Sequence, residues 1–358
     1  MAKFKKSLGA FLALTMITAG FFAIQNRADA FLWFKKEAKE KTVDKISFAP
    51  VNNIGKNKVW VGTFQLVWND LKNDIIKAPV EFKDGKSDLA KNLNKEGFTV
   101  NDISDDSYYK NKGVMTPDFK KEIEDDIKEK FSETSDILDT LDWNSKSYLI
   151  YAMLKKDFEY LKEFPELNGT SFNNSKENVK YFGIKTEDSI HELKDNLGVL
   201  FYNSSDDYAV KLITKGNDEV ILYRTNDNKT LEKYVIDVNK KAKNYKEDTT
   251  FKRNDRLKVP YIKIDEMFNY NELCNREIKG SDFIITGAIQ TLKFNLDNKG
   301  GSLKSEAALI MKMSAVSKEE IRYFDFSKPF VLILKEKDKK IPYFIADIKD
   351  ETFLEKAE

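Results

Sequence analysis

Apolar positions change period near residue 147, and that change organises the chain. Before it the spacing is helical. Trp60, Phe64, Val67, Trp68 and Leu71 lie four, three, one and three residues apart, which predicts a buried core helix within Val59–Leu71. Lys83 to Gly113 is polar, with glycines at 85, 97 and 113, and reads as loops and short helices. Thr116-Pro117 then supplies a capping hydroxyl and a proline for a first helical position. Phe119, Ile123, Ile127 and Phe131 follow at intervals of four, and Ile137, Leu138 and Leu141 are expected to extend the stripe.

From Ser147 the period falls to two. SYLIYAML, VKYFGI, DDYAVKLI, DEVILYR and KVPYIKI are short runs of strand formers. Helices are predicted at 187–197, 229–243 and Met267–Glu277. PFVLILKEKDKKIPYFIADI reads as a hairpin with Lys335–Lys340 at its tip. Helices first and strands later predict an α+β fold.

One stretch does not close on itself: LKFNLDNKGGSLKSEAALIMKMSAVSKEE, Leu292 to Glu320. It opens as a strand, stops at Gly300 and Gly301, and continues without a turn. Leu303, Ser305, Ala307, Leu309, Met311 and Met313 share one face of an extended chain; Lys304, Glu306, Ala308, Ile310 and Lys312 share the other. That is the alternation of a half-buried strand. Burying Leu303, Leu309, Met311 and Met313 at about 1.5 to 3 kcal/mol each would contribute roughly 6 to 12 kcal/mol. Two other readings stand beside a strand held in waiting: a strand already paired, or a helix capped by Ser305.

The N-terminus reads as an export address. Lys3, Lys5 and Lys6 precede an uncharged apolar run, Leu8–Ile24, and Ala28-Asp29-Ala30 fits a signal-peptidase site. Cleavage near Ala30 predicts a secreted or periplasmic protein with no membrane span in the mature chain; an uncleaved anchor is the rival reading. Residues 31–56 are expected to form a polar, exposed lead-in to one domain over 57–358.

Charge and composition remove several function classes. The chain has 60 basic and 59 acidic residues, so no bulk charge favours nucleic acid. Cys274 and His191 are the only residues of their types, which gives no disulfide and no ordinary zinc set. Glu122, Asp125, Asp126 and Glu129 lie along a helix without a turn glycine to wrap a cation and read as a solvated face. Ser107-Tyr108-Tyr109-Lys110 has the letters Ser-x-x-Lys but no Lys-Thr-Gly downstream. No catalytic residues, metal or cofactor are expected, and the protein is not expected to be an enzyme.

The C-terminal third resembles the serpins. LKFNLDNKGGSLKSEAA is similar to the strand and hinge that open their reactive loop, and FSKPFVLILKEKDKKIPYFIADI to their closing hairpin. Ser305 to Phe330 spans 26 residues, about the family's distance between hinge and Pro-Phe. VPYIKIDEMFNYNEL, SYLIYAMLKKDFEYLKEF and KVWVGTFQLVWNDL occupy, in order, the places of earlier family elements, so the likeness runs over roughly 57–350. It implies a serpin-like α+β fold, with N-terminal helices packed on a large mixed β-sheet, smaller β-sheets and an exposed reactive-centre-like loop, whose hinge would be Gly300, Gly301, Ser305, Glu306, Ala307 and Ala308. It further implies a monomeric suicide inhibitor of a serine protease, whose cleaved loop joins the main sheet as an added strand. Aligning on Ser305-Glu306-Ala307-Ala308 places the scissile bond near Lys318-Glu319; aligning on Gly300 places it near Ser314-Ala315. Lys312 and Lys318 would both suit a trypsin-like pocket.

Departures from the family pattern leave an alternative open. Leu309, Ile310, Met311 and Lys312 stand where family inhibitors carry small residues, and bulk slows insertion between closed strands. Val61-Gly62-Thr63-Phe64 and Ala346-Asp347 also differ from the family's usual residues. A non-inhibitory binding or structural protein on the same scaffold is the second expectation.

Overall fold

The period-two half of the sequence supplies most of the strands. The computed structural model describes residues 46–143, 147–186, 192–301 and 322–357. A hairpin of β1 (Asn52–Ile54) and β2 (Asn57–Val61) leads into helix α1 (Thr63–Asp70), which continues as a wider turn over Leu71–Ile76. Helix α2 (Asp88–Leu93), strand β3 (Tyr108–Val114), helix α3 (Pro117–Phe131) and strand β4 (Tyr148–Leu154) follow. Next come β5 (Phe158–Glu159), β6 (Glu166–Ser171), β7 (Asn178–Ile184), β8 (Leu197–Ser204), β9 (Asp207–Ile213) and β10 (Asp218–Arg224). After helix α4 (Leu231–Asn244) lie β11 (Arg256–Pro260), β12 (Ile262–Asn269), β13 (Arg276–Glu277) and β14 (Ile284–Ile285). They are followed by β15 (Ile289–Leu296) and β16 (Gly300–Gly301). Beyond 302–321 the chain ends in β17 (Tyr323–Asp325), β18 (Phe330–Glu336) and β19 (Phe344–Ile348).

Seven strands form one sheet in the order β1-β2-β19-β18-β10-β9-β8, with every neighbouring pair antiparallel. Its central strands are buried on both faces, which is why VLIL and FIADI read as nearly unbroken apolar runs. Alternation sends one row to each side. Tyr223, Val331 and Asp347 lie in register and face α4, whose Tyr234 ring stands 6.3 Å from Tyr223 and whose hydroxyl donates to Asp347 at 3.4 Å. Phe344, of opposite parity to Asp347, stacks at 4.7 Å on Phe294 of β15. The sheet therefore lies between α4 and a separate antiparallel ribbon, β12-β15. A four-stranded sheet, β17-β11-β7-β6, adds parallel pairing between β11 and β17. The α+β class, with helices, a large sheet and smaller ones, is as the sequence predicts.

Several local expectations give way to tertiary pairing. Val59–Val61 end a strand instead of starting a helix, because β2 pairs with β19; the helical stripe holds only from Thr63. In the expected exposed lead-in, Phe48 and Ala49 are buried, with Phe48 4.5 Å from the Trp60 ring and its N–H donating to Glu232 at 2.8 Å. Thr116 accepts from the Phe119 N–H as the cap requires, but α3 stops where Ser132 turns left-handed at φ 57°, so Leu138 sits in a separate 3-10 turn. Tyr108–Lys110 belong to β3, not to a polar loop. Met267 and Phe268 pair with Thr291 and Gln290, which extends β12 through a predicted helix. KVPYIKI breaks at Tyr261 into the ends of β11 and β12. Of the helix predicted at 187–197, residues 187–191 lie outside the described residues, Glu192 and Leu193 are helical, and Lys194–Asn196 form a 3-10 turn before β8; the hairpin connection runs over 337–343. Residues 1–45, including the predicted export address, lie outside the described residues. No helix among the described residues is long and apolar enough to cross a membrane.

Candidate functional site

Two ribbons stand side by side without pairing. Strand β4 is bonded to β3, and β15 to β12; among the described residues neither has a partner strand along its other edge. Between them is a cavity of about 690 Å³. Its floor is α1 with the wider turn that continues it: Phe64, Val67 and Trp68 of α1 and Leu71 just after it belong to the helical stripe read from the sequence. Strand β4 spans two environments. Tyr151, with Leu149 and Met153 beside it, packs on Ile123, Ile127 and Phe131 of α3, while alternation directs Ile150, Ala152 and Leu154 the other way.

The groove is closed at one end by backbone pairing. Phe158 and Glu159 of β5 pair with Gly301 and Gly300 of β16, four residues beyond the ends of β4 and β15 respectively. The glycines are required by proximity: a Cβ on Gly300 would lie 2.1 Å from the Phe158 carbonyl oxygen, and one on Gly301 2.5 Å from the Phe158 ring. Asp297 holds the preceding turn, its Oδ1 accepting from the Lys299 N–H at 2.8 Å and the Gly300 N–H at 3.1 Å. Tyr160 and Phe164 donate backbone N–H groups to Lys299 and Asn298, each at 2.8 Å.

Just after β4, Lys156 ties this closed end to the seven-stranded sheet. Its ammonium contacts Glu336 at the end of β18 and Asp218 at the start of β10, the latter at 3.1 Å. Ser104 donates through its backbone N–H and its hydroxyl to Glu336, and Tyr343 donates to Asp218 at 3.0 Å. Burial pushes the Asp218 carboxyl up. Burial acts the same way on Glu336, but the bonds from Lys156 and Ser104 outweigh it and hold that carboxyl below its ordinary range.

Away from the closed end, side chains connect the two walls. Lys293 of β15 pairs at 2.8 Å with Asp136, in the segment leading to β4, and that bond raises the Lys293 ammonium. Phe283, just before β14, meets Tyr148 at the start of β4 edge-on at 6.4 Å. Both rings are substantially exposed.

Of the residues singled out from sequence, Gly300 and Gly301 form β16. Ser305, Glu306, Ala307, Ala308, Lys312, Ser314, Ala315, Lys318 and Glu319 lie outside the described residues, as does His191. Cys274 is half-buried beside the Tyr270 carbonyl oxygen, 3.6 Å from its sulfur, and burial pushes its thiol up, away from the reactive thiolate. Among the described residues no group of His, Cys, Asp and Glu could hold a metal ion. Sequence reasoning missed Lys156, Glu336 and Asp218, which join only through the sheet. It also missed Gln290, although a glutamine in the row Gln290, Leu292, Phe294, Leu296 was a visible break in an apolar pattern.

No protein-family model and no curated protein matches the chain. Among solved structures it is similar to thyroxine-binding globulin in complex with thyroxine, with TM-score 0.42 and 12% identity over 64% of this chain and 63% of that one. It is similar to Serpin48, a highly specific serpin of the insect Tenebrio molitor, with TM-score 0.44 and 13% identity over 82% and 91% of the two chains. It is also similar to maspin, with TM-score 0.47 and 11% identity over 68% and 76%.

Proposed function

We propose that the groove between β4 and β15 is the seat for residues 303–313, and that the protein is a serpin-like, suicide-type inhibitor of a serine protease, not an enzyme. The observation that carries this reading is the pair of strand edges that have no partner strand among the described residues, next to the glycines at which the alternating tract begins. Each edge offers backbone N–H and C=O groups to an added strand. Strand β16 pairs antiparallel to β5, so the chain at Gly301 already heads back from the closed end. Twenty residues separate Gly301 from Arg322, where the chain joins β11 through β17 in the four-stranded sheet. Cutting that tether would free the N-terminal part. Eleven extended residues reach about 36 Å, which exceeds the roughly 26 Å of an eight-residue wall.

Leu303, Leu309, Met311 and Met313 would be the inward row, and Ser305-Glu306-Ala307-Ala308 the hinge that leads it in. The scissile bond would lie near Ser314-Ala315 or Lys318-Glu319, with Lys312 and Lys318 as trypsin-type sites. A monomer, exported after cleavage near Ala30, completes the reading. A second reading, a non-inhibitory binding protein on the same scaffold, is favoured by the bulk of Leu309 and Met311.

Incubation with trypsin-like serine proteases separates the two. Inhibition gives a covalent complex that survives denaturant, and the nicked chain melts well above the intact one. Simple cleavage between 312 and 319 with no rise in melting temperature overturns the inhibitor reading and leaves the second.

A further inference from the structure

Gln290 points to a use of the groove that needs no loop. This side chain lines the cavity and is only 3% exposed. Its Oε1 accepts from the Tyr270 hydroxyl at 2.6 Å, and that hydroxyl accepts in turn from Asn52 Nδ2 at 3.1 Å. The chain of donors sets the amide so that Nε2 is the free end, and among the described residues Nε2 has no partner. A buried donor left unpaired is costly, so the site favours whatever brings it an acceptor. The surroundings are apolar: Phe64, Trp68, Ile150 and Ala152 line the same cavity, and the Phe64 ring packs edge-on at 4.4 Å against Tyr270. An anion is disfavoured, since one amide cannot compensate a desolvated carboxylate and Asp136 already lines the cavity. At about 690 Å³ the space falls within the range that holds drug-sized molecules.

We infer that the groove binds an uncharged, largely apolar small molecule whose single carbonyl or ether oxygen accepts a hydrogen bond from Gln290 Nε2. The occupied groove has no room for a strand, so ligand and residues 303–313 exclude one another. That exclusion rests on the insertion reading; the binding itself does not.

Benzophenone and diphenylmethane test this, because they share size and apolar rings and differ in one carbonyl oxygen. The intact chain should bind benzophenone about five- to tenfold more tightly by calorimetry, the effect of one net hydrogen bond. In Gln290→Leu, checked for folding by circular dichroism, the two affinities should converge. Ala152→Trp should abolish binding of both. Irradiated benzophenone should crosslink within 148–154 or 284–291. Equal affinities in the unaltered chain, no binding, or crosslinks elsewhere would overturn the site. Benzophenone should leave the nicked chain as its melting temperature rises. A nicked chain that gains stability and keeps benzophenone overturns the exclusion. One that keeps the ligand without gaining stability supports the site and counts against insertion.

Discussion

Gly300 lies so close to Phe158 that a Cβ at that position would stand 2.1 Å from the Phe158 carbonyl oxygen. The closed end of the groove thus depends on a missing side chain. Gly300→Ala forces the β5·β16 pair apart and should cost about 1 to 3 kcal/mol. Hydrogen exchange should quicken first at the Tyr160 amide, which donates to Lys299. Unchanged exchange there would show that the pairing is not the closure.

Lys156 is the cation for two buried carboxylates. Lys156→Met leaves Glu336, fully buried, and Asp218 without it, and should cost about 3 to 5 kcal/mol in urea unfolding. Adding Glu336→Gln should restore part of the loss. A single variant as stable as the parent would mean that water already solvates the cluster.

The Lys293–Asp136 pair is nearly half exposed at both ends and should contribute no more than about 1 kcal/mol. Its expected effect is kinetic. Lys293→Ala removes one tie between the walls, so the nicked chain should reach its more stable form sooner while equilibrium stability hardly moves. A time course of melting temperature after nicking reads this directly; equal rates would assign the pair to the surface alone.

Helix α4 carries an acid-sensitive contact. Burial pushes Asp237 up, but bonds from Lys229, Tyr223 and Lys241 outweigh it and hold the carboxyl below its ordinary range. Its contribution is therefore fully present above the unfolded value of about 4 and is lost as pH falls through the lower folded value. Asp237→Asn should remove that part of the acid slope and lower stability at neutral pH. An unchanged slope between pH 5 and the acid transition would contradict the assignment.

Elements whose neighbours along the chain determine them were legible in the sequence. Thr116-Pro117 capped α3 as read, and Ile123, Ile127 and Phe131 are buried on the face their spacing indicated. The strands holding SYLIYAML, DDYAVKLI and DEVILYR lie where alternation put them. Errors gathered where a distant partner overrode local preference. Trp60 fits a helical stripe, but β19 recruits it into a strand. Met267 and Phe268 lost their predicted helix to β15 in the same way.

The sequence by itself determined the α+β class, the helical floor of the groove and a strand ending at two glycines, because side-chain period and turn chemistry are local properties. Only the tertiary structure decided that β4 and β15 flank one groove without pairing to each other, that Lys156 meets Glu336 and Asp218, and that Gln290 Nε2 has no partner among the described residues. Those relationships join residues that are not neighbours along the chain, and their energies arise from desolvation and strand adjacency, which exist only once the chain has folded.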